Sequence, residues 1–301
     1  MRGKCFLLSL IALASLGGCS PENAPPASVT SPVTTAAGAT ETTAAKTTAN
    51  EKPSTETTAP TTTTAKPEGP RETIHGKEWI RTFFDDFDGD SLDMSKWSYC
   101  PNWTRDDCIW TDSQAVLDGT GNLKLRVSGA SIPYAAGAIR TRGKFEQTYG
   151  YFEVRCRLTP IAGINPSFWL MCDGAGQVGA LGGSDGAEID IIEAPYFKTG
   201  MVQHALHWDG YGEMHGTSHK EITRPELYQG YHTFGLEWNE TEYIFYIDGE
   251  ESWRTHSGGV CRVPVYMKLT LGVGAWTGKL DPAHLPVDGM IVDYVKAYTA
   301  A

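Results

Sequence analysis

The chain has 301 residues, a formal net charge of −11 at neutral pH and 41% hydrophobic residues. Nucleic-acid binding needs clustered Lys and Arg side chains that neutralise phosphates, and the sequence has no such cluster, which excludes nucleic acid as an expected partner. All nine tryptophans and all thirteen tyrosines lie beyond residue 70, so the core and any chemistry are predicted there.

The N-terminus has the features of an export signal. Positive charge in residues 2–4 is followed by an apolar run over residues 6–16 that is too short to span a bilayer. The run ends in two glycines and Cys19, which resembles the lipobox of bacterial lipoproteins. This resemblance predicts a signal peptide over residues 1–18, a lipid on Cys19 and an exported protein anchored to the membrane at the cell surface. An ordinary signal peptide with an unmodified Cys19 is the alternative.

Residues 19–70 differ in composition from the rest of the chain. Thr, Ala and Pro dominate, and Leu, Ile, Met, Phe, Tyr and Trp do not occur between residues 20 and 70. Such a segment cannot bury a core, so it is predicted to be a disordered tether that holds residues 71–301 away from a surface. A spacer of no selected length that tolerates proteolysis is the alternative.

The remaining chain shows the period of two that is typical of half-buried strands. Apolar and polar residues alternate over residues 122–127 and 151–158, and residues 243–247 run into Asp248-Gly249, a hairpin signal. The same alternation places His204 and His207 on opposite faces of one strand. Many strands, Gly-rich connections and few helical patterns predict an all-β fold, a sandwich of two antiparallel sheets.

Residues 186–193, Gly-Ala-Glu-Ile-Asp-Ile-Ile-Glu, carry three carboxylates among isoleucines. On a strand Glu188 and Asp190 share one face, and the isoleucine between them faces the core. Regular alternation would turn Glu193 to the core side. A bulge that absorbs Ile192 would return it to the acidic face, and bulges are frequent next to active sites.

Like charges on one face repel each other, so three acids in this position indicate a function. Retaining glycoside hydrolysis needs two carboxyls about 5–5.5 Å apart, one as nucleophile and one as proton donor. Glu188 and Glu193 suit these roles, and Asp190 between them can hold a proton and raise the pKa of a neighbour. A calcium site or a solvated acidic surface is the alternative, but the isoleucines favour a half-buried strand over a calcium loop.

The motif from Glu188 to Glu193, Glu-x-Asp-x-x-Glu, resembles the signature of the family-16 glycoside hydrolases, which lies on one strand of a concanavalin A-like jelly roll. Other segments resemble the opening of the family, the strands before the acids and the later strands: residues 84–89, 92–97, 149–155, 167–170, 234–238, 245–249 and 292–298. The resemblance covers residues 80–299.

The resemblance implies roles for single residues: Glu188 matches the nucleophile, Asp190 the assisting carboxylate and Glu193 the general acid/base. The extra residue before Glu193 is typical of the bulged branch, which includes laminarinases, agarases, carrageenases, porphyranases and endo-galactosidases. The implied activity is endo-hydrolysis of a β-linked glucan or galactan, with β-1,3-glucan favoured and no cofactor for catalysis. Many laminarinases carry Trp-Pro shortly before the first acid, where this chain has Gly-rich residues 182–186.

Two other functions fit the same scaffold. A lectin would use the sandwich to bind carbohydrate without cleaving it, because a fold alone does not imply chemistry. A transglycosylase would use the same residues and pass the glycosyl group to a sugar instead of water. All three acids are present in this chain, which disfavours the lectin. The bulged motif favours hydrolysis over transglycosylation. A polysaccharide is therefore the expected partner, and the protein is expected to act as a monomer.

Several residues are candidates for sugar binding, because the C–H faces of sugars stack on aromatic rings. Trp169 is expected on the floor of a cleft, Trp276 in a Gly-flanked loop as a platform, and His207 or Trp208 on the leaving-group side. Arg140 is a candidate donor to sugar hydroxyls. Core packing is the alternative for the aromatic residues, and a surface ion pair is the alternative for Arg140.

Asp86 and Asp293 match acids that hold a structural calcium in some family members, and solvated side chains are the alternative. Five cysteines lie beyond the tether, an odd number that cannot pair completely, and their spacing does not resemble a zinc site. We expect one or two disulfides at most, with Cys100 and Cys108 able to close a short loop. The five are Cys100, Cys108, Cys156, Cys172 and Cys261.

Overall fold

The computed structural model describes residues 68–102 and 104–301. The predicted signal peptide, Cys19 and the tether up to residue 67 lie outside the described residues. The described part is built from strands and short 3-10 helices, and it contains no helix that is long and apolar enough to cross a bilayer.

The strands of the described part, in chain order, alternate with short loops. They are β1 (Arg71–Ile74), β2 (Lys77–Asp85), β3 (Ser98–Tyr99), β4 (Thr104–Arg105), β5 (Cys108–Trp110), β6 (Ala115–Leu117), β7 (Leu123–Ser128), β8 (Tyr134–Ala136), β9 (Ala138–Arg140), β10 (Gly150–Leu158), β11 (Ile164–Met171), β12 (Ala187–Tyr196), β13 (Met201–Trp208), β14 (Gly216–Thr223), β15 (His232–Trp238), β16 (Tyr243–Ile247), β17 (Glu250–Thr255), β18 (Tyr266–Val273) and β19 (Val287–Ala300). The 3-10 helices are Asp112–Gln114, Gly182–Asp185, Pro225–Tyr228, Ala275–Thr277 and Pro282–His284.

These strands form two sheets. The larger has the order β17-β16-β15-β10-β19-β7-β8-β5-β4, with β2 beside β19, β1 beside β2 and β6 beside β7. The smaller has the order β14-β13-β12-β11-β18-β9-β3. The pairings are antiparallel as predicted, except that β5 and β8 are parallel. This pair is allowed because β6 and β7 provide the long crossover that parallel neighbours need.

The core lies between the sheets and is built from the alternating residues that the sequence indicated. Leu123, Leu125 and Val127 of β7 are fully buried, and so are Phe152 and Val154 of β10. Large rings fill the space between them, including Trp97, Trp110 and Trp238. The predicted all-β two-sheet sandwich, of jelly-roll type, is therefore confirmed.

The expectation of disulfides is wrong for the described residues, in which the five cysteines are free and buried. Cys100 and Cys108, the candidate pair, are core residues with thiols in the apolar interior. The Cys172 thiol donates to the carbonyl of Ala187 at 3.7 Å, and the Cys261 thiol donates to the carbonyl of Val263 at 3.7 Å. A free cysteine is among the most buried residue types because its side chain packs as a small apolar group.

Candidate active site

Strand β12 occupies an inner position in the smaller sheet and carries a bulge between its second and third acids. On the β11 side, Asp190 pairs with Trp169 and Ile192 pairs with Phe168, so Ile191 has no partner on β11. The predicted bulge is therefore present, but Ile191 and not Ile192 is the extra residue opposite β11. Both isoleucines are fully buried, and the third acid returns to the face of the other two.

The buried side of the bulge is held by His204 of β13. Its Nδ1 lies 2.6 Å from the carbonyl oxygen of Ile191, and its Nε2 lies 2.8 Å from Ser252 Oγ. A carbonyl only accepts, so Nδ1 carries the proton and Nε2 accepts from the serine hydroxyl. Burial lowers the pKa of His204 to about 4. A neutral ring therefore satisfies a carbonyl that the bulge removes from the sheet ladder.

The three acids face one cavity. We call the side of the smaller sheet that lines this cavity the cleft face. The cavity is lined by Arg105, Trp110, Asn165, Ser167, Trp169, Glu188, Asp190, Glu193, Thr270 and Gly272.

Glu188 lies near the start of β12 and is 5% exposed. Its Oε2 accepts a hydrogen bond of 2.5 Å from the hydroxyl of Tyr211, in the loop after β13. Its partner in the β13 register is His207. A buried carboxylate with one neutral donor at one oxygen has the second oxygen available for attack on an electrophile.

Asp190 is buried between the two glutamates. Burial, and then the charges of Glu188 and Glu193, raise its pKa well above the ordinary value, while Arg105 and Lys268 oppose this. Its Oδ2 is buried without a hydrogen-bond partner among the described residues and lies 3.5 Å from His207 Nε2. A buried, unpartnered oxygen is far less costly on a neutral carboxyl than on a carboxylate, which favours the protonated form of Asp190.

Glu193 is half-buried and held by two amides. Asn165 Nδ2 donates to its Oε1 at 2.7 Å, and Gln203 Nε2 lies 2.6 Å from its Oε2. Asn165 is itself oriented, because its Oδ1 accepts from the backbone N–H of Ala194 at 3.0 Å. A turned Gln203 amide presents an acceptor, so this residue can accompany both the carboxylate and the protonated form of Glu193.

Two of the predicted sugar-binding residues lie on the cleft face beside the acids. Trp169 lines the cavity, with its indole N–H donating to Thr270 Oγ1 at 3.0 Å and the ammonium of Lys268 4.0 Å above its ring. His207 lies opposite Glu188, which is the nucleophile candidate, in the register of β12 and β13. Gln203 occupies the position opposite Glu193.

Trp208 does not face the cleft. It follows His207 on β13, and alternation turns its indole to the other side of the sheet. There the ring packs closely over two glycines, since a Cβ atom at Gly216 or Gly258 would come within 2.5 Å of it. The alternative of core packing is therefore correct for this residue.

Trp276 and Arg140 lie at the margin of the cleft face. Trp276 is 40% exposed in the loop after β18, and its ring contacts the exposed ring of Phe197 with 5.7 Å between centroids. Phe197 follows β12, beyond Glu193. Arg140 of β9 is half-buried and pairs in register with Lys268, so its side chain emerges on the cleft face.

The candidate calcium acids are not grouped with other metal ligands among the described residues. Asp293 of β19 is ion-paired with Arg155, and Asp86 is exposed just after β2. The described residues contain one group with metal-ligand spacing, Glu188, Asp190 and His207, whose ligand atoms lie within 4.8 Å of one another. This group coincides with the catalytic candidates, and the calcium stays a prediction.

Several residues of the site were not predicted from the sequence. Asn165 and Ser167 alternate with Trp169 on β11, so the period of two could have placed them on the same face. Gln203 alternates with His207 on β13 in the same way. Tyr211 comes from an irregular loop, for which no periodic pattern exists.

Residues 102–296 match the model of the glycosyl hydrolases family 16. The chain belongs to glycosyl hydrolase family 16. The acid-bearing strand β12 lies inside the matched residues.

Relatives act on several β-linked polymers. An endo-1,3-1,4-beta-glycanase of Rhizobium meliloti is 32% identical over 168 residues, which is 55% of this chain and 34% of that protein. A keratan-sulfate endo-1,4-beta-galactosidase of Sphingobacterium multivorum is 29% identical over 246 residues, 75% of this chain and 56% of that protein. The chain thus spans from one third to just over half of the length of these two relatives.

The fold is shared with solved structures. The laminarinase from Flavobacterium sp. UMI-01 has a TM-score of 0.62 and 25% identity, covering 73% of this chain and 100% of that chain.

Proposed function

We propose that this protein is a retaining endo-glycosidase that hydrolyses a β-linked glucan or galactan, with β-1,3-glucan favoured. The observation that carries the proposal is the arrangement on β12. Glu188 and Glu193 face one cavity, with Asp190, whose pKa is raised, between them and a separate set of hydrogen-bond partners for each glutamate. Different surroundings for two like carboxyls are what an acid and a nucleophile need.

In the proposed mechanism Glu188 attacks the anomeric carbon while Glu193 protonates the departing glycosidic oxygen. The resulting glycosyl-enzyme is then hydrolysed by water, from which Glu193 takes the proton. Asp190 lies between the two glutamates, and its raised pKa favours a protonated side chain that can hydrogen-bond to the Glu188 carboxylate. Arg105 and Lys268 add positive charge that offsets the acids across the cavity.

The polymer would cross the cleft face over Trp169, whose ring lines the cavity. The exposed pair of Trp276 and Phe197 offers a second aromatic surface at the margin. A half-buried Arg140 on the same face is a candidate donor to hydroxyls. Glucan-cleaving and galactan-cleaving relatives support this substrate class, without choosing between the two sugars.

The test is a panel of laminarin, mixed-linkage β-glucan, agarose, carrageenan and keratan, with time-resolved ¹H NMR of the first new reducing ends. The proposal expects internal cleavage of at least one polymer and early appearance of the β-anomer. Initial release of the α-anomer would contradict retention. Binding to a polymer without new reducing ends would favour a lectin, and products longer than the substrate would favour a transglycosylase.

We also propose that the enzyme is exported and held at the cell surface by a lipid on Cys19. The lipobox-like sequence before Cys19 and the core-free composition of residues 20–70 support this proposal. A polymeric substrate that cannot enter a cell is consistent with it. The tether would let the catalytic domain reach such a polymer away from the membrane.

A further inference from the structure

The loop over residues 209–215 connects β13 to β14 and brings Tyr211 into contact with Glu188 of β12. The Tyr211 hydroxyl donates to Glu188 Oε2 at 2.5 Å. Two bonds fix the start of the loop: Gly179 N–H donates to Asp209 Oδ1 at 3.0 Å, and Gly210 N–H donates to the Ala175 carbonyl at 3.2 Å. Asp209 has a φ of 58°, a backbone strain that is typical of functional loops.

The end of the same loop is joined to the strand by a histidine pair. His215 Nε2 lies 2.9 Å from His207 Nδ1, and the other nitrogen of His207 lies 3.5 Å from Asp190 Oδ2. The Tyr211 ring contacts the His215 ring, with 5.6 Å between their centroids. Contacts through Tyr211, His215 and His207 therefore connect Glu188 to Asp190, which lies two residues away on β12.

The histidine pair shares one proton between two nitrogens. Burial, and then His207, lower the pKa of His215. One ring donates and the other accepts, which fixes their mutual orientation. The titratable and charged groups around Glu188 are Asp190 and Glu193 of β12, His207 of β13, Tyr211 and His215 of the loop, and Arg105 of β4.

We propose that Tyr211 is a positioning residue for the nucleophile, and that the His207–His215 pair holds the Tyr211 loop against β12. The Tyr211 hydroxyl is hydrogen-bonded to Oε2 of Glu188, so Oε1 is the oxygen that attacks the anomeric carbon. A donor to the charged form favours the carboxylate and makes it a better leaving group in the second step. This inference rests on the proposed function, in which Glu188 is the nucleophile.

Tyr211→Phe keeps the ring and removes the hydroxyl. We expect kcat/KM to fall roughly 10- to 100-fold with KM nearly unchanged, as for the loss of one hydrogen bond to a charged group. The acid limb of the pH profile of kcat/KM should move to higher pH, since the carboxylate loses its donor. Tyr231→Phe is the matched control, because it removes a hydroxyl that bonds Asn122 at 2.8 Å in another part of the molecule.

His215→Ala provides a second variant, with the exposed His219→Ala of β14 as its control. It should move the acid limb in the same direction by a smaller amount. Lower activity without any movement of the limb, in both Tyr211→Phe and His215→Ala, would overturn the positioning role. A purely structural loop would produce that result.

A substrate-free measurement separates this inference from the proposed function. The carboxyl carbon of Glu188 can be titrated by ¹³C NMR in the wild type and in Tyr211→Phe. A higher midpoint in the variant supports the inference even if no polymer of the panel is cleaved. Identical midpoints would overturn it even if the enzyme is an active glycosidase.

Discussion

Asp190 is a buried acid that lines the candidate active site between two other acids. Burial and two neighbouring acids raise its pKa, so the folded protein binds this proton more tightly than the unfolded chain does. The stability gained from the proton is complete below the ordinary value and is lost as pH rises through the folded value. The wild type is therefore predicted to be less stable at neutral pH than a variant with a neutral side chain there.

Asp190→Asn should raise the Tm by several degrees at pH 7 and leave it unchanged near pH 3, where both side chains are neutral. The same variant should lose roughly 10²-fold in kcat, with retained stereochemistry. Thermal unfolding at several pH values measures the first effect, with the exposed Asp112→Asn as control. An unchanged Tm at pH 7 would show that Asp190 is not held as a neutral acid.

At this scale the sequence predicted the acids but not all of their partners. The spacing from Glu188 to Glu193 and the interleaved isoleucines define one face of a strand. Asn165 and Gln203 come from neighbouring strands, so their contact with Glu193 depends on register, which local pattern does not contain. Tyr211 depends on a loop conformation and was not predictable.

Among the elements, β12 depends on the bulge that His204 supports from below. The ring is neutral in the folded protein because its pKa falls to about 4 from an ordinary value of 6.5. The unfolded chain takes up this proton first as pH falls, so stability is lost between pH 6.5 and 4. Once the pH is below the pKa values of both the unfolded and the folded state, the loss in free energy of unfolding amounts to roughly 3 kcal/mol.

His204→Gln keeps a donor for the Ile191 carbonyl but cannot titrate. Its free energy of unfolding should fall less steeply than that of the wild type between pH 7 and pH 4. Urea unfolding at a series of pH values measures the difference, with the exposed His219→Gln as control. Parallel curves for His204→Gln and the wild type would mean that His204 is charged in the folded protein or does not titrate.

Strands with clear alternation were predictable as elements, as β7 and β10 show. The residue at the bulge was not, because Ile191 and Ile192 are equally apolar and only the pairing with β11 distinguishes them. The disulfide expectation failed for a related reason. Cysteine count and compartment do not reveal that each thiol has an apolar place in the core.

For the whole molecule, the proposed lipid on Cys19 can be tested directly. Cys19→Ala should move the protein from the membrane fraction to the soluble fraction or the medium, because the thiol that receives the lipid is lost. Detergent phase partitioning and immunoblotting measure the distribution, with Cys5→Ala as control. Unchanged membrane association of Cys19→Ala would contradict the anchor while leaving the catalytic proposal intact.

The central claim assigns different roles to two glutamates on one strand, and azide reports on both. Glu188→Ala leaves space below the anomeric carbon, so azide should attack there directly and give the α-glycosyl azide from an activated β-glycoside. Glu193→Ala still forms the glycosyl-enzyme with substrates that need little protonation, so azide should give the β-glycosyl azide. The measurement is ¹H NMR of the anomeric configuration of the two azide products. An α-azide from Glu188→Ala and a β-azide from Glu193→Ala support the account, and the opposite configurations would contradict it.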